Sequence, residues 1–569
     1  KYVENEGNVE YTLEDVGFVD KLCFKFNSAE DFMVDIKYQK YSDFDKLGEA
    51  EIIEKYYTAL NQSVINLEKN IEKVTFIVPA DKALDYIEVY NNFTFNKYIF
   101  VYLVAVFIAL FLVIDSSMKD ENLHKVFFAS AILLGILMIV LRTQKFKSWD
   151  EQIHFQHAEE VSYNRTVMFS VSSYNMATIE MIPDEDTYEE KQNLENYLDV
   201  NEDIICNSKE KSSGYIDYTR KAYIPQAIGL YIGRKLNIPY GKAIWLAKFL
   251  NLLTYTLAFT FAIKYAKIGK RLVYAIGLLP TSLYIATSFS YDAVVTSFVT
   301  LGLVLAINEI ASKEDKINPL RIICSVIAIS FGSFAKAVYI PYVLILLMIP
   351  KKKFYSKKQR VMFMGGLLLV FMIVMSTFIL PTLTNTVNNV DEGGDYRGGD
   401  TSVTRQMQSI FENPIAYSDL LIGNIEDSFG EFYLGSSSST FFAYIGEEKG
   451  NIYFLHFIMI ILLIMTEGSY ESIAIDKKQK IVFGILTFSI ACLIWTALYL
   501  SFTPVKAESI NGVQARYYIP LFLPTFLIFR NKIFDCKVDL HKYNKAIGIT
   551  CNVVLMYVIY NYMLVRYCL

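Results

Sequence analysis

Apolar runs of membrane-spanning length recur along this chain and limit it to one class of fold. A helix needs about 20 apolar residues to cross a bilayer. The chain is 53% hydrophobic and only 20% charged over 569 residues, which is unusually apolar for a soluble protein. The pattern predicts a mostly α-helical, polytopic membrane protein with about twelve transmembrane helices. The predicted spans are residues 97–114, 124–141, 243–263, 272–289, 292–311, 320–336, 338–350, 361–381, 451–466, 481–503, 516–530 and 546–565.

Basic residues in three short loops set the predicted orientation. Loop 264–271 (KYAKIGKR) has four Lys or Arg residues and loop 351–360 (KKKFYSKKQR) has six, and neither has an acid. Loop 530–545 has five basic residues against two acids. If each predicted span crosses once, the three loops share one side, which the positive-inside rule makes cytoplasmic.

The crossings divide the chain into six regions. Residues 1–96 lie outside and are predicted to form a small β-sandwich-like domain, because β-branched and aromatic runs alternate with Asp and Asn breaks. One helical interruption is expected at 49–60. An external domain before the first span needs an earlier crossing or an export signal, so we expect one further segment before Lys1. The other regions are two spans (97–141), a first large outer loop (142–242), a transmembrane core (243–381), an outer loop (382–450) and the C-terminal spans (451–569).

Two segments of the outer loops have a pattern of their own. Residues 222–236 are apolar on one side and end in Arg234 and Lys235, which suits either a helix at the membrane interface or an ordinary surface helix. The Gly-rich, acidic stretch EGGDYRGGD at 392–400 suits either a substrate gate or a plain flexible loop.

Ionisable residues gather at the predicted outer ends of the spans. KSWDEQIHFQHAEE, residues 147–160, follows the second span and contains the adjacent acids Asp150 and Glu151, followed by His154 and His157. Asp292, Lys336 and Arg516 each stand at an outer turn. Ionisable groups at membrane depth are costly and are therefore functional candidates. Plain alternatives exist: Asp292 could cap its helix, and Lys336 and Arg516 could reach toward lipid headgroups.

Such a face suits transfer of a sugar from a lipid phosphate. A carboxylate can act as general base on an acceptor hydroxyl. Cations and tyrosine hydroxyls can stabilise a departing phosphate. The donor bond already stores the energy, which agrees with a sequence that has no P-loop, GxGxxG or HExxH motif.

Five stretches together resemble one bacterial family of multi-pass membrane proteins, the domain of unknown function numbered 2142. They occur in the family's order between about residues 143 and 530, and the family in turn resembles the GT-C superfamily of polyprenyl-phosphate-dependent glycosyltransferases. The stretches are WDEQIHF (149–155), AYIPQAIGLYIGRKL with the AIWLAKFLNLL that follows (222–253), LLPTSLYIATSFSYDAVVTS (278–297), AKAVYIP (335–341) and NGVQARYYIPLFLP (511–524).

The resemblance implies a catalytic acid in the first outer loop and basic residues that hold the donor phosphate. The acid maps to Asp150, with Glu151 adjacent. We expect Glu151 to be the alternate base or a metal or orienting partner, and His154, one helical turn away, to orient one of the two acids. Arg516 and Lys336 match the phosphate-binding positions. The remaining predicted site residues are Tyr517 and Gln514 beside the phosphate, and Asp292, Tyr291, Arg220 and Lys248 elsewhere on the outer face.

The chain departs from the family pattern at three positions. Trp149 replaces the usual Pro, Ala515 a Gly, and Lys248 an Arg. The last change keeps the charge but loses the planar guanidinium.

The primary hypothesis is an inverting GT-C-type glycosyltransferase of the bacterial cell membrane with its active site outside. It would move a sugar from a polyprenyl-phosphate donor to a cell-surface polysaccharide or teichoic-acid-type acceptor. Partners are then the donor, the acceptor and the bilayer, without nucleic acid. The sequence identifies no definite cofactor, and two acids and a histidine make Mg²⁺ or Mn²⁺ a candidate. The alternatives are a transporter or flippase of a lipid-linked glycan and a scaffold of an envelope assembly.

Overall fold

The computed structural model describes residues 2–5, 7–30, 32–41, 47–57, 63–91, 95–115, 118–163, 187–200, 218–387, 399–471, 475–530 and 536–569. Strands come first, and helices follow from Lys97 onward. A mostly helical chain with a small N-terminal antiparallel sheet is thereby confirmed.

The N-terminal strands form one antiparallel sheet. In the described residues its order is β1-β2-β5-β3-β4, and β6 pairs with β2. The helix predicted at 49–60 is wrong for residues 49–57, which lie in the strand β4, and residues 58–60 lie outside the described residues. Ile53, Lys55 and Tyr57 turn inward with a period of two, which is the period of a strand. The strands are β1 (Tyr2–Asn5), β2 (Asn8–Asn27), β3 (Phe32–Tyr41), β4 (Leu47–Tyr57), β5 (Ser63–Pro79) and β6 (Ala83–Tyr90).

This sheet bends back on itself to make its own core. Phe24 pairs in register with Ser63, whereas Phe76 pairs with Tyr11 near the other end of the same two strands. The rings of Phe24 and Phe76 nevertheless lie 5.0 Å apart, centroid to centroid. Register shifts in β2 supply the bend. The sandwich-like layering therefore comes from one folded sheet and not from two separate ones.

Helices make up the rest of the described chain. They are α1 (Lys97–Ile114), α2 (Leu123–Leu141), α3 (Glu151–Tyr163), α4 (Tyr188–Val200), α5 (Ile224–Lys235), α6 (Tyr240–Tyr265), α7 (Lys270–Gly277), α8 (Pro280–Ala286), α9 (Asp292–Ala311), α10 (Pro319–Ser333), α11 (Lys357–Val387), α12 (Val403–Glu412), α13 (Pro414–Leu434), α14 (Ser436–Ser439), α15 (Asn451–Thr466), α16 (Lys477–Ser501), α17 (Phe522–Phe529), α18 (Leu540–Ile559) and α19 (Val565–Cys568). Short 3₁₀ helices cover Tyr218–Tyr223, Ala337–Met348, Lys351–Lys353, Ala443–Ile445, Glu467–Tyr470 and Ala515–Leu521, and a π-helical turn at Tyr560–Leu564 joins α18 to α19.

Eight helices in the described residues are long and apolar enough to cross a membrane. Three shorter apolar helices accompany them, at Pro319–Ser333, Ala337–Met348 and Ala515–Phe529. A multi-pass membrane protein is therefore confirmed, and the count of twelve spans stays a prediction.

Prolines explain where the apolar segments depart from continuous α-helix. The predicted span 272–289 is two helices, because α7 ends at Gly277 and Pro280 begins α8. The 3₁₀ segments Ala337–Met348 and Ala515–Leu521 each contain a proline.

The predicted outer segments also contain helices. The loop expected at 382–450 includes α12 and α13. Residues 392–398 of the Gly-rich stretch lie outside the described residues. The predicted interfacial helix is α5, which leaves Ile224, Ile228 and Tyr231 exposed along one face.

The ends of the helices form two separate networks of contacts. At one end, Asn96 donates a hydrogen bond to the Cys568 carbonyl, and the Cys568 thiol lies 3.1 Å from the Leu141 carbonyl. Lys191 on α4 reaches the Arg142 carbonyl at 2.7 Å. We call this the sheet end, because the neighbouring Glu190 on α4 accepts from Lys55 of β4 and from the Val64 amide of β5.

The opposite end is held by a buried arginine. Arg271 donates to Asn544 at 2.8 Å and pairs with Asp120. Its backbone amide donates to Glu467 at 2.7 Å. The loop after α1, the start of α7, the end of α15 and the start of α18 thus meet at one place. The helix ends named in these two networks therefore fall into two separate groups, and the alternation of all predicted spans stays a prediction.

Candidate active site

Asp150 stands at the sheet end, where the loop after α2 enters α3. Its backbone has φ = +50°, in the left-handed region that Asp tolerates better than most residues. Its side chain is 32% exposed, and one carboxylate oxygen lies 3.9 Å from Nη2 of Arg516. Asp150 is therefore an acid that a solute can reach, next to a buried cation.

Asp292 joins the two predicted phosphate-binding cations. Its Oδ1 lies 3.0 Å from Nζ of Lys336, and its Oδ2 lies 3.3 Å from Nη1 of Arg516. Asp292 begins α9, Lys336 directly precedes the 3₁₀ helix at Ala337–Met348, and Arg516 lies in the 3₁₀ helix at Ala515–Leu521. The Asp292 carboxylate is thus paired with both cations. These ion pairs explain the position of Asp292 better than capping of α9, which has no side-chain cap hydrogen bond.

Aromatic rings bracket the same cations. Nζ of Lys336 lies 3.3 Å from the centre of the Tyr517 ring, and the Arg516 guanidinium lies 4.8 Å from the centre of the Trp149 ring. Such contacts stabilise a cation without neutralising it. Tyr339 holds the backbone at Tyr517 in place, because its hydroxyl donates to the Tyr517 carbonyl at 2.7 Å.

Glu151 is turned away from Asp150 into the protein. It is fully buried. Its carboxylate lies 2.9 Å from Nη2 of Arg142 and 3.0 Å from Nζ of Lys248, and it accepts from the Ser148 and Phe289 amides at 2.9 and 3.1 Å. Burial alone raises the pKa of Glu151, but the Lys248 and Arg142 charges outweigh it and hold the pKa below its ordinary value.

This geometry corrects two predicted positions. Glu151 was expected as an alternate base or metal partner, and its oxygens are already engaged by four donors. Lys248 was expected on the outer face, and it is buried beneath the site as the partner of Glu151.

His154 packs among aromatic rings one turn into α3. Its Nδ1 lies 2.6 Å from the Tyr223 hydroxyl, and the Tyr291 ring is 4.9 Å away, centroid to centroid. Burial, and next the Arg516 charge, lower the pKa of His154 to about 3, so the ring is neutral near pH 7. His154 was expected to orient an acid; its side-chain partner is Tyr223 instead, and only its backbone amide bonds to Asp150, at 3.0 Å.

The other predicted residues divide between the site and its border. Tyr291 precedes α9 and packs on His154. The Gln514 carbonyl accepts from the Tyr517 amide at 3.0 Å, and its buried Oε1 has no hydrogen-bond partner among the described residues. Arg220 pairs with Glu160 at the far end of α3, so its ion pair is made outside the acid–cation cluster.

A metal site is not formed by the described side chains. No three His, Cys, Asp or Glu residues in that part of the chain are placed to hold one ion. The expected ligands are separated, because Glu151 is held by cations and His154 by Tyr223.

Sequence reasoning overlooked two buried residues that organise this region. Arg142 binds Glu151 and also donates to the Ser288 hydroxyl at 2.9 Å. Tyr223 holds His154. A cation directly after a predicted span was a usable signal for Arg142, and Tyr223 lies within a family-like stretch.

Comparison with known proteins identifies the family. No curated protein and no solved structure matches the chain. A family model described as "Predicted membrane protein (DUF2142)" matches residues 132–525, which contain Asp150, Asp292, Lys336 and Arg516. The match covers well over half of the chain, and the chain therefore belongs to the DUF2142 family of predicted membrane proteins.

Proposed function

We propose that this protein is a GT-C-type glycosyltransferase that moves a sugar from a polyprenyl-phosphate donor to a cell-surface glycan acceptor. One observation supports the proposal most directly. Two carboxylates and two cations, distant in sequence, come within ion-pair distance of one another at the sheet end. The residues are Asp150, Asp292, Lys336 and Arg516.

Asp150 is the general base of the proposed reaction. It takes the proton of the acceptor hydroxyl, and the hydroxyl oxygen forms a bond to the anomeric carbon of the sugar. The bond from that carbon to the phosphate oxygen breaks, and its electron pair leaves with the polyprenyl phosphate. Attack opposite the leaving group inverts the anomeric centre. Exposure distinguishes Asp150 from Glu151, since a base must reach the proton it abstracts.

Arg516 and Lys336 hold the donor phosphate and stabilise the charge that it gains. Both keep donor capacity beyond their contact with Asp292, because a guanidinium has five N–H groups and an ammonium has three. Nε of Arg516 is buried without a hydrogen-bond partner among the described residues. Asp292 holds the two cations in place before the donor arrives, which lowers the cost of organising them.

The orientation belongs to the same proposal. The basic loops at the opposite end are placed in the cytoplasm by the positive-inside rule, so the sheet end faces outward. A phosphate at the sheet end then lies at headgroup level of the outer leaflet, with its prenyl chain among the helices. We place the protein in a bacterial cell membrane, with surface polysaccharide or teichoic acid as acceptor.

Surface-glycan analysis tests the proposal. Cells lacking the protein are supplied with the wild-type chain, Asp150→Asn or the matched control Asp427→Asn, which changes an exposed acid on α13. Loss of a general base lowers rates by about 10²–10⁴-fold, so only Asp150→Asn should lose the sugar while its membrane level stays normal. Full modification by Asp150→Asn would contradict the proposal.

Release of polyprenyl phosphate separates transfer from transport. Purified wild-type protein in lipid nanodiscs should release it from a labelled polyprenyl-phosphate sugar when acceptor glycan is present. A flippase or scaffold would leave the sugar–phosphate bond intact.

A further inference from the structure

The Nε2 atom of His154 has no role in the proposed reaction. The side chain is 6% exposed, and its Nδ1 contacts the Tyr223 hydroxyl at 2.6 Å. Its Nε2 is buried and has no hydrogen-bond partner in the described part of the chain. Buried polar atoms are rarely left this way, so the function of Nε2 needs an explanation.

The Tyr223 hydroxyl decides which ring nitrogen carries the proton. Tyr223 is 2% exposed, and within the described residues its hydroxyl makes no other hydrogen bond. If Nδ1–H donated to Tyr223, the Tyr223 O–H would have no acceptor among the described residues, at the cost of a full hydrogen bond. If Tyr223 donates to Nδ1, the unmatched donor is Nε2–H instead, and a ligand oxygen beside the ring can pair with it. With such a ligand only the second arrangement satisfies both donors, so we assign Tyr223 as donor and Nδ1 as acceptor. A neutral imidazole that accepts at Nδ1 carries its proton at Nε2.

The resulting Nε2–H donor does not stand alone. Nε of Arg516 is a second buried N–H without an acceptor in the described chain. The Tyr291 ring links His154 to the cation cluster, because its centre lies 4.9 Å from that of the His154 ring and 5.1 Å from Nζ of Lys336. Two unmatched N–H donors at the site suit a ligand that supplies several oxygens at once, such as a phosphate.

We propose that Tyr223 locks His154 in the Nε2–H tautomer and that this N–H donates to a phosphate oxygen of the lipid-linked donor, an assignment that rests on the proposed function. His154 is then a neutral donor beside the cation Arg516. It recognises the phosphate without adding charge and without exchanging a proton with Asp150.

The tautomer can be read directly by ¹⁵N NMR, and the reading does not depend on catalysis. The chain has five histidines, so this chain labelled with ¹⁵N-His in nanodiscs gives few signals, and His154→Gln assigns the relevant one. We expect one protonated nitrogen, Nε2, at pH 7. Tyr223→Phe removes the O–H and should populate the other tautomer. A proton on Nδ1 in the wild-type protein overturns the proposal.

Binding of farnesyl phosphate, a short polyprenyl phosphate, tests the ligand. A Gln side chain places an N–H near the position of Nε2, and an Asn side chain places one near Nδ1. His154→Gln should therefore bind within about threefold of wild type, and His154→Asn about tenfold more weakly, as expected for one lost hydrogen bond to a charged group. The His154 Nε2–H signal should shift on saturation with the ligand.

Separate arms identify the source of the phosphate and keep this proposal distinct from the proposed function. Inorganic phosphate in place of farnesyl phosphate should bind far more weakly, and equal binding overturns the assignment to a lipid donor. If farnesyl phosphate binds through Arg516 but neither shifts Nε2–H nor distinguishes Asn from Gln, the inference about His154 is wrong and the proposed function stands. No binding to the wild-type protein overturns both.

Discussion

Glu151→Gln should destabilise the protein, although it removes a single charge and almost no volume. The carboxylate is fully buried between Arg142 at 2.9 Å and Lys248 at 3.0 Å. Breaking a buried ion pair by removing one partner costs about 3–5 kcal/mol, because the other charge stays buried and uncompensated. Unfolding entropy is about 2.1 cal/mol/K per residue, so in a core of about 400 residues this loss lowers the midpoint of thermal unfolding by about 4–6 °C.

Thermal unfolding of the purified protein in detergent, followed by tryptophan fluorescence, measures this change. Glu426→Gln is the matched control, since Glu426 is exposed on α13. Asp150→Asn should cost no more than about 1 kcal/mol, because its ion pair is partly exposed. Adding Lys248→Met to Glu151→Gln should restore part of the loss, because one unpaired cation is then removed.

The refuting result is specific. If Glu151→Gln unfolds at the same temperature as Glu426→Gln and yet abolishes transfer, Glu151 acts on the substrate and the division between the two adjacent acids is wrong.

Three further predictions concern neighbouring parts of the bundle. The pKa of His154 is about 3 in the folded chain and 6.5 in its ordinary state, so acid protonates the unfolded chain first. His154 should therefore lower the stability by roughly 1 kcal/mol between pH 7.5 and 5.5, and His154→Gln should remove that contribution in urea titrations at each pH. Gly229→Ala should lower the free energy of unfolding by about 1–3 kcal/mol, since the added Cβ would lie 2.5 Å from the α6 backbone. Gly365→Ala is the control, because its Cβ would meet nothing within 4 Å, and it should be neutral or stabilising in the same titration. Arg516→Lys keeps the charge but loses the planar fork, so it should weaken farnesyl phosphate binding about tenfold in calorimetry, while Arg405→Lys, on an exposed pair, should not.

The convergence of the site could be predicted because it depends only on the order of the spans. Asp292, Lys336 and Arg516 each follow or precede an apolar run, and alternate crossings must bring such positions to one end of a bundle. The ion pairs of Asp292 with both cations agree with that expectation.

The different surroundings of Asp150 and Glu151 could not be predicted in the same way. The two residues are adjacent and chemically alike, and a local pattern treats them alike. The backbone at Asp150 has φ = +50°, and Glu151 begins α3. The cations that bind Glu151 come from the end of α2 and from α6, so only the packed structure separates the two acids.

Short 3₁₀ segments and the strand β4 were missed for a related reason. Hydrophobicity marks apolar length, and it does not distinguish an α-helix from the tighter winding at Ala337–Met348. In β4, the order of acidic and apolar residues fits both the helical period of 3.6 residues and the strand period of two. Pairing with β3 makes this segment a strand.

The anchorage of the sheet by α4 has a consequence for experiments on shortened chains. Glu190 takes its partners from β4 and β5, and the next residue, Lys191, supports the Arg142 carbonyl, whose side chain in turn holds Glu151. A chain starting at α1 would keep every proposed reactive group but leave Glu190 without Lys55. Inactivity of such a fragment would therefore reflect the loss of a structural support under the site, and it would not reveal a chemical role for the N-terminal sheet.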